Sequence, residues 1–183
     1  MTELNIVCFG DSNTWGYDPR SFLGDRYPKQ FRWPELVAEK LSCTVINMGL
    51  NGREIPTVCF VPPENTDLLL IMLGTNDLLQ GLRATEVGIR MGKFLASIPF
   101  PASKIMLIVP PAMKKGEWVQ EQQLIDESLL VSEVYRKVAA SLGVHLVNTH
   151  NWNIPLCYDG VHFTESGHSI FSDYISSFLY DYT

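Results

Sequence analysis

The sequence predicts an α/β protein in which a parallel β-sheet is covered by helices on both faces. Short apolar segments alternate along the chain with segments of helical periodicity, an order typical of a parallel sheet with crossover helices. The apolar segments are rich in Ile, Leu and Val with little polar alternation, as strands buried on both faces require. No repeat, low-complexity tract or linker interrupts the pattern, so we expect a single domain over residues 1–183.

Five strands and four helices account for most of the chain. The strands are predicted at residues 4–9, 44–48, 68–73, 105–109 and 144–147. The first helix covers residues 33–41 and tolerates Pro34 in its first turn, where a missing N–H costs nothing. A second helix covers residues 83–96. Residues 16–31 and 110–119 combine glycine, proline and aromatic residues without periodicity, which predicts loops.

The last two helices show clearer apolar periodicity. One ends before Gly143, a typical C-cap, and the other runs from about residue 165 to 179 with Thr164 placed to cap its start. The residues that recur at helical spacing in the first are Val131, Val134, Tyr135, Val138 and Leu142. Those expected to be buried in the second are Ile170, Phe171, Tyr174, Ile175, Phe178 and Leu179.

Composition and charge exclude several classes of protein. Hydrophobic residues make up 46% and charged residues 19%, as in ordinary globular proteins. The formal net charge is −6 and the basic residues are scattered, so nucleic acid is not an expected partner. The start of the sequence lacks the features of a signal peptide, and no apolar run is long enough to span a bilayer. We therefore expect a cytoplasmic protein without membrane insertion, whose oligomeric state the sequence leaves open.

The first motif follows the first predicted strand directly and consists of Gly10, Asp11 and Ser12. It lies at the carboxyl end of the strand, the edge of a parallel sheet at which ligands bind. The same three residues also make an ordinary turn, because glycine permits positive φ and the Asp and Ser side chains bond locally. The motif alone therefore does not decide between a turn and a nucleophile.

The next two strands deliver small and amide-bearing residues to the same edge. The second ends in residues 47–52, which include Gly52, and the third ends in Gly74-Thr75-Asn76-Asp77. Acyl transfer needs hydrogen-bond donors for the oxygen that becomes negative in the tetrahedral intermediate. The N–H groups of Ser12 and Gly52 and the side-chain amide of Asn76 can supply them, although turns rich in Gly and Asn are also common at strand ends.

A candidate base lies near the other end of the chain, after the fifth strand. His162 can accept the proton of Ser12, and Asp159, three residues earlier, can orient the imidazole through its Nδ1–H. None of the competing histidines has an aspartate three residues before it, as His162 has in Asp159. His168, in the first turns of the last helix, is expected to have a capping or surface role, and the other two, which lie in and after the fifth strand, are His145 and His150.

A metal site is the other use of these groups. A divalent ion would serve phosphoester hydrolysis, but the ligand spacings match no metal-binding motif, and no Gly-rich dinucleotide or phosphate loop is present. We therefore expect neither metal nor cofactor. The side chains that this alternative would use are Asp11, Asp77, Asp159, His162 and His168.

Taken together, these residues resemble the SGNH hydrolase superfamily, also called GDSL esterases and lipases. The resemblance implies Ser12 as nucleophile, His162 and Asp159 as base and orienting carboxylate, and Ser12, Gly52 and Asn76 as the oxyanion hole. It also implies a three-layer α/β/α flavodoxin-like fold with a five-stranded parallel sheet and no metal. The four matching blocks are Gly10-Asp11-Ser12, residues 47–52, Gly74-Thr75-Asn76-Asp77 and Asp159-Gly160-Val161-His162, in the order of the family.

Longer runs around these blocks resemble the arylesterase and acyltransferase branch of the superfamily. That branch favours small acyl groups, and some members pass the acyl group to alcohols or peroxide. This chain departs from it in the short segment between Gly52 and Asp67, where members can carry insertions that shape the pocket and build oligomers. The runs are residues 10–16, Arg32-Trp33, residues 71–77 and residues 159–165.

The sequence therefore predicts an esterase of small acyl or aryl esters that works through an acyl-enzyme, with acyl transfer as a side activity. Asp11, Trp15 and Trp118 are assigned to the substrate pocket, because small-molecule sites are mostly apolar and aromatic. Trp152 is a further candidate wall, and all three tryptophans are equally well explained as packing residues. The alternatives are a metal-dependent phosphoesterase and a non-catalytic carbohydrate- or lipid-binding module on the same fold.

Overall fold

The protein folds around a fully parallel five-stranded sheet. The computed structural model describes residues 4–180. Within them the strand order is β2-β1-β3-β4-β5, and the predicted strands agree with the observed ones to within one residue at each end. The strands are Asn5–Gly10 (β1), Thr44–Gly49 (β2), Leu68–Met72 (β3), Ile105–Val109 (β4) and His145–Asn148 (β5).

Four long helices and two short ones lie between and after the strands. The bounds predicted for the helix of residues 33–41 and for the helix of residues 165–179 are confirmed, with Pro34 in the first turn of the former and Thr164 capping the latter. The two short helices are one turn each and were not predicted, because one turn leaves no room for periodicity. The helices are Ser12–Trp15 (α1), Trp33–Leu41 (α2), Thr75–Leu79 (α3), Ala84–Ser97 (α4), Gln122–Leu142 (α5) and Glu165–Leu179 (α6).

The helices form two layers on opposite faces of the sheet. Successive residues of β1 alternate between the faces, so Val7 and Phe9 pack with α4 and α5, while Ile6 and Cys8 pack with α2 and α6. The three-layer α/β/α architecture and its flavodoxin-like strand order are thereby confirmed. None of the helices between residues 4 and 180 combines the length and the apolar character that crossing a bilayer requires.

Two expectations about burial were wrong. β2 and β5 form the edges of the sheet and are only partly buried, so burial on both faces holds for the three inner strands alone. In α6, Phe171 and Ile175 face the sheet, but Tyr174 and Phe178 are 41% and 45% exposed. The sheet-facing positions recur every four residues, and these two aromatic rings lie on the flank of the helix, against Trp152.

The strand order places a switch point between β1 and β3. The chain leaves β1 to form β2 on one side and then returns to form β3 on the other, so the loops after β1 and β3 diverge from neighbouring strand ends. Gly10 at the end of β1 pairs with Met72 at the end of β3. In open α/β sheets this crevice is the usual position of a ligand site.

Candidate active site

Ser12 is the first residue of α1, which starts directly after β1. The helix is capped at its start by Asp11, whose carboxylate accepts from the Asn13 N–H at 3.0 Å, and it ends at Gly16 with a left-handed φ of 90°. A side chain at Gly49 would place its Cβ 2.1 Å from the backbone nitrogen of Trp15. The absence of a side chain there lets α1 lie directly against the end of β2.

Ser12, His162 and Asp159 form one hydrogen-bonded series. Ser12 Oγ lies 3.0 Å from His162 Nε2, and His162 Nδ1 lies 2.7 Å from Asp159 Oδ2. All three side chains are at most 3% exposed. The structure thus brings Ser12 together with the pair Asp159 and His162, which lies about 150 residues further along the chain.

The turn that carries the histidine is organised by Asp159. Its Oδ1 accepts from the backbone N–H groups of Val161 and His162 at 2.9 and 3.0 Å. Burial would raise the pKa of Asp159, but the hydrogen bonds from the imidazole and from these two N–H groups outweigh it and hold the pKa below its usual value. An ionised Asp159 accepts the Nδ1–H of His162, which leaves Nε2 free to accept from Ser12.

The three predicted oxyanion donors follow three neighbouring strands. Ser12 follows β1, Gly52 follows β2 and Asn76 lies in α3 just after β3. Gly52 has a φ of +73° and is exposed, and no other group lies near the position of its missing side chain. Asn76 is held by one amide N–H, which donates to the carbonyl of Arg53 at 3.0 Å. Its second amide N–H is available to a ligand.

Arg53 was not singled out from the sequence, yet it joins the ends of two strands. Its guanidinium donates to the carbonyl oxygens of Gly10 and Met48 and lies 4.2 Å from the centroid of the Phe9 ring. The residue thereby fixes the turn that contains Gly52 against the end of β1. Its only sequence signal is its position next to Gly52.

Asp77, in the same helix as Asn76, anchors the segment after that turn. Its carboxylate is fully buried and accepts from the Ile55 N–H at 3.0 Å and from Arg90 at 2.9 Å. The turn that carries Gly52 is therefore held both from β1 and from α3.

Asp11, assigned to the pocket wall from the sequence, lies instead beneath α1. It is 1% exposed, and one carboxylate oxygen is occupied by the capping bond to Asn13. Burial raises the pKa of Asp11 to about 6, opposed by that bond and by the charge of the Arg53 guanidinium. The pocket-wall assignment is corrected, because Asp11 is almost fully buried and its carboxylate caps α1.

Two aromatic rings flank His162. Trp118 stands edge-on with ring centroids 5.1 Å apart, and Tyr17 packs at 4.6 Å. Trp15 touches Tyr17, not the histidine, and lies under the guanidinium of Arg26. Trp152 is 7% exposed and packs in the core with α6, so it is a packing residue. Tyr17 was missed because its contact with His162 joins residues distant in sequence.

The loop of residues 110–119 binds the turn that carries His162. The N–H groups of Lys114 and Trp118 donate to the carbonyls of Gly160 and Asp159 at 3.0 and 3.1 Å. Gly160 has a φ of 83°, and a side chain there would come within 2.1 Å of the Lys114 carbonyl. The loop therefore holds Trp118 in place beside the histidine.

Trp118 also lines a groove of about 610 Å³. Leucine side chains from α3, α5 and the α3–α4 connection supply its apolar surface, and its polar groups are mainly carboxylates and amides. The polar and charged lining residues are Arg83, Glu117, Gln120, Glu121, Gln123 and Glu127.

The side chains of the alternative metal site do not form a group of ligands among the described residues. Among residues 4–180, no three His, Cys, Asp or Glu side chains are grouped as ligands of an ion. His168, expected at a cap or on the surface, is fully buried, and its Nδ1 accepts from the Trp33 N–H at 3.3 Å. That expectation was wrong because this side of α6 packs against the start of α2.

Fold and site together define a hydrolase of the SGNH class, with its polar groups at the switch point of a flavodoxin-like sheet. The chain belongs to the GDSL-like lipase/acylhydrolase family, whose model matches residues 8–170. The resemblance inferred from the four sequence blocks is therefore confirmed, and the protein is an enzyme of the esterase type.

Solved structures of other proteins share the fold. A protein from Agrobacterium tumefaciens described as an arylesterase is 26% identical, with a TM-score of 0.79 over 97% of this chain and 99% of that chain. A carbohydrate acetylesterase from Sinorhizobium meliloti is 23% identical, with a TM-score of 0.82 over 99% and 100%. The aryl esterase of M. smegmatis is 21% identical, with a TM-score of 0.84 over 97% and 99%. No curated sequence matches the chain significantly.

Proposed function

We propose that the protein is a serine esterase that hydrolyses small, uncharged carboxylic esters through an acyl-enzyme on Ser12. The observation that carries the proposal is the buried series Ser12–His162–Asp159, with contacts of 3.0 and 2.7 Å. A serine hydroxyl is a weak nucleophile until an adjacent base takes its proton, and this series supplies that base and its orienting carboxylate.

In the first half of the reaction, His162 Nε2 takes the proton of Ser12 while Oγ forms a bond to the ester carbonyl carbon. The carbonyl π electrons move to oxygen, which becomes an oxyanion facing the N–H groups of Ser12 and Gly52 and the amide of Asn76. The electrons then return to re-form the carbonyl and the bond to the alcohol oxygen breaks. His162 gives its proton to that oxygen, and the acyl group remains on Ser12.

In the second half, a water molecule takes the place of the departed alcohol. His162 accepts a proton from the water as its oxygen attacks the acyl carbon, and the same donors receive the second oxyanion. Collapse breaks the bond to Ser12 Oγ, which recovers a proton from His162, and the carboxylic acid leaves. An alcohol can replace water in this half, and acyl transfer is then a side activity. No cofactor or metal takes part.

The groove beside Trp118 supports a preference for uncharged esters. The leaving alcohol takes its proton from His162, and Trp118 both contacts that imidazole and lines the groove. Carboxylates outnumber the one arginine in the lining, so an anionic alcohol portion meets net repulsion. The neighbours from S. meliloti and M. smegmatis are named as esterases, which supports ester hydrolysis in general.

The proposal is tested by turnover of 4-nitrophenyl acetate together with labelling by a fluorophosphonate. The wild type should turn over the ester and gain one label on the peptide that contains Ser12, while Ser12→Ala should do neither. Ser172→Ala is the matched control, because Ser172 is also a buried serine but lies in α6, bonded to Lys40. Wild-type turnover by Ser12→Ala would refute the assignment of the nucleophile.

The same assay separates the alternatives. A metal-dependent phosphoesterase would hydrolyse bis(4-nitrophenyl) phosphate and lose activity in EDTA, whereas we expect ester turnover that EDTA does not change. A non-catalytic binding module would show no turnover on any ester of an aryl series with acyl chains of increasing length.

A further inference from the structure

We infer that Asn13 is a positioning residue for His162, holding the backbone of the base at a fixed distance from the helix that carries the nucleophile. The inference rests on the proposed function, because it assigns Asn13 a task within the same reaction. Asn13 directly follows Ser12 in the chain, and no step of the proposed mechanism uses its side chain.

The side chain of Asn13 binds the backbone on both sides of His162. Its Nδ2 donates to the Val161 carbonyl at 3.1 Å, and its Oδ1 accepts from the Phe163 N–H at 2.9 Å. The residue is only 4% exposed, so both bonds are shielded from water. One amide side chain thus forms hydrogen bonds with the two residues that flank the histidine.

The other backbone groups of residues 161–163 have different partners. The N–H groups of Val161 and His162 are bound by Asp159, and the His162 carbonyl accepts from the Cys157 N–H at 2.7 Å. The Phe163 carbonyl accepts from the Tyr27 hydroxyl at 3.1 Å. Of these contacts, the two made by Asn13 are those that lead to α1, so they connect the histidine backbone to the helix of Ser12.

The helix end of this connection is itself fixed. Asp11 caps α1 through the N–H of Asn13, and the missing side chain at Gly49 lets β2 support the same helix. The distance of 3.0 Å between Ser12 Oγ and His162 Nε2 therefore depends on a rigid helix and on one side chain that reaches from it. Without that side chain, the turn of residues 159–163 keeps its hydrogen bonds to the loop of residues 114–118 but loses the two that Asn13 makes from α1.

The family supplies a natural substitution for the test. It is named after Gly-Asp-Ser-Leu, and this chain has asparagine where the name has leucine. Asn13→Leu keeps a branched side chain of similar size and removes both hydrogen bonds. Asn13→Ala removes them too but leaves room for water at the Val161 carbonyl and the Phe163 N–H, which favours a folded variant.

The experiment measures kcat and KM for 4-nitrophenyl acetate after thermal melting has identified the folded variants. Misplacement of a catalytic group by about 1 Å costs on the order of 100-fold, so we expect Asn13→Ala and Asn13→Leu to lower kcat by about 10- to 100-fold with KM within about twofold. Ser172→Ala, which loses a buried hydrogen bond in α6, should keep wild-type kcat.

The decisive readout is the same substitution in a His162→Ala background. If Asn13 acts through His162, Asn13→Ala should cause no further loss there, because residues that act as a unit are not additive. An equal loss in both backgrounds, or a wild-type kcat for folded Asn13→Ala, would overturn the inference. Wild-type turnover by His162→Ala itself would instead refute the proposed function.

Discussion

The side-chain amide of Asn76 donates to the backbone carbonyl of Arg53 at 3.0 Å. That bond fixes the plane of the amide, and the guanidinium of the same arginine binds the Gly10 carbonyl two residues before Ser12. The proposed oxyanion donor and the proposed nucleophile are thus linked through one residue. Preorganised donors of this kind need no rearrangement when the charge develops.

Asn76→Ala should therefore lower kcat strongly and leave the fold intact. Loss of one such donor typically costs about 10²- to 10³-fold in kcat, and we expect this range with little change in KM. Steady-state kinetics and a melting curve check it. Gln80→Ala, an exposed substitution just after the same helix, should behave as the wild type. An Asn76→Ala enzyme with more than half of the wild-type kcat would exclude the amide from the oxyanion hole.

The charge of the groove should be visible in substrate preference. Methyl 4-acetoxybenzoate should have a higher kcat/KM than the anionic 4-acetoxybenzoate. An exposed carboxylate several ångströms from the substrate charge changes binding by about twofold. The double variant Glu117→Gln with Glu121→Gln should therefore lower the ratio of the two kcat/KM values, neutral ester over anionic ester, by about fourfold. Added salt should narrow it in the wild type but not in the double variant. If the wild type and the double variant had the same ratio at low salt, the groove would not be part of the substrate-binding site.

His168 should make the fold sensitive to acid. Burial lowers the pKa of His168 to about 3, below the ordinary value of 6.5. Between pH 3 and pH 6.5 the unfolded chain binds this proton more readily than the folded chain does. The contribution of neutral His168 to the free energy of unfolding is therefore complete above pH 6.5 and is lost as pH falls toward 3.

Urea unfolding at pH 7 and pH 4.5 tests this sensitivity. The wild type should lose more free energy of unfolding between the two values than His168→Gln, by up to about 1.4 kcal/mol per pH unit. His168→Gln should be the less stable protein at pH 7, because it loses the ring contacts with Tyr27 and Phe163. Parallel pH dependences in the two proteins would contradict the prediction.

Gly49→Ala should damage both stability and activity. Its Cβ would lie 2.1 Å from the backbone nitrogen of Trp15, and a helix backbone cannot yield as a flexible side chain can. Such overpacking costs about 1–3 kcal/mol, and it should also displace Ser12 and lower kcat. Gly92→Ala is the matched control: its Cβ meets only Val138, at 3.8 Å, and alanine should stabilise α4 by about 0.5–1 kcal/mol. Equal stability of the two variants would disprove the packing argument.

The strands and long helices were predictable because they are repeated patterns over many residues. Buried strands show continuous apolar runs, and α2 and α6 also carry local signals at their starts, in Pro34 and Thr164. The one-turn helices α1 and α3 contain too few residues for such a pattern. Ser12, Asp159 and His162, which the structure brings into one hydrogen-bonded series, could be singled out because they stand in recognisable motifs after apolar segments.

The supporting residues could not be predicted for a different reason. Asn13, Arg53 and Tyr17 act through contacts with residues distant in sequence, and their immediate neighbours give no sign of these contacts. Burial of His168 likewise depends on α2 and α6 lying side by side. Such roles follow from the tertiary arrangement of the elements, not from any single element.

The separation of Ser12 and His162 along the chain has a consequence for the protein during its synthesis. The two residues are 150 positions apart, and β5, at the edge of the sheet, precedes the turn that carries the histidine. At about 5–20 residues per second, a ribosome makes the proposed base about 8–30 s after the proposed nucleophile. Ester hydrolysis by this chain would therefore report the emergence and docking of its last segments, and stalled chains that end before residue 159 would be inactive.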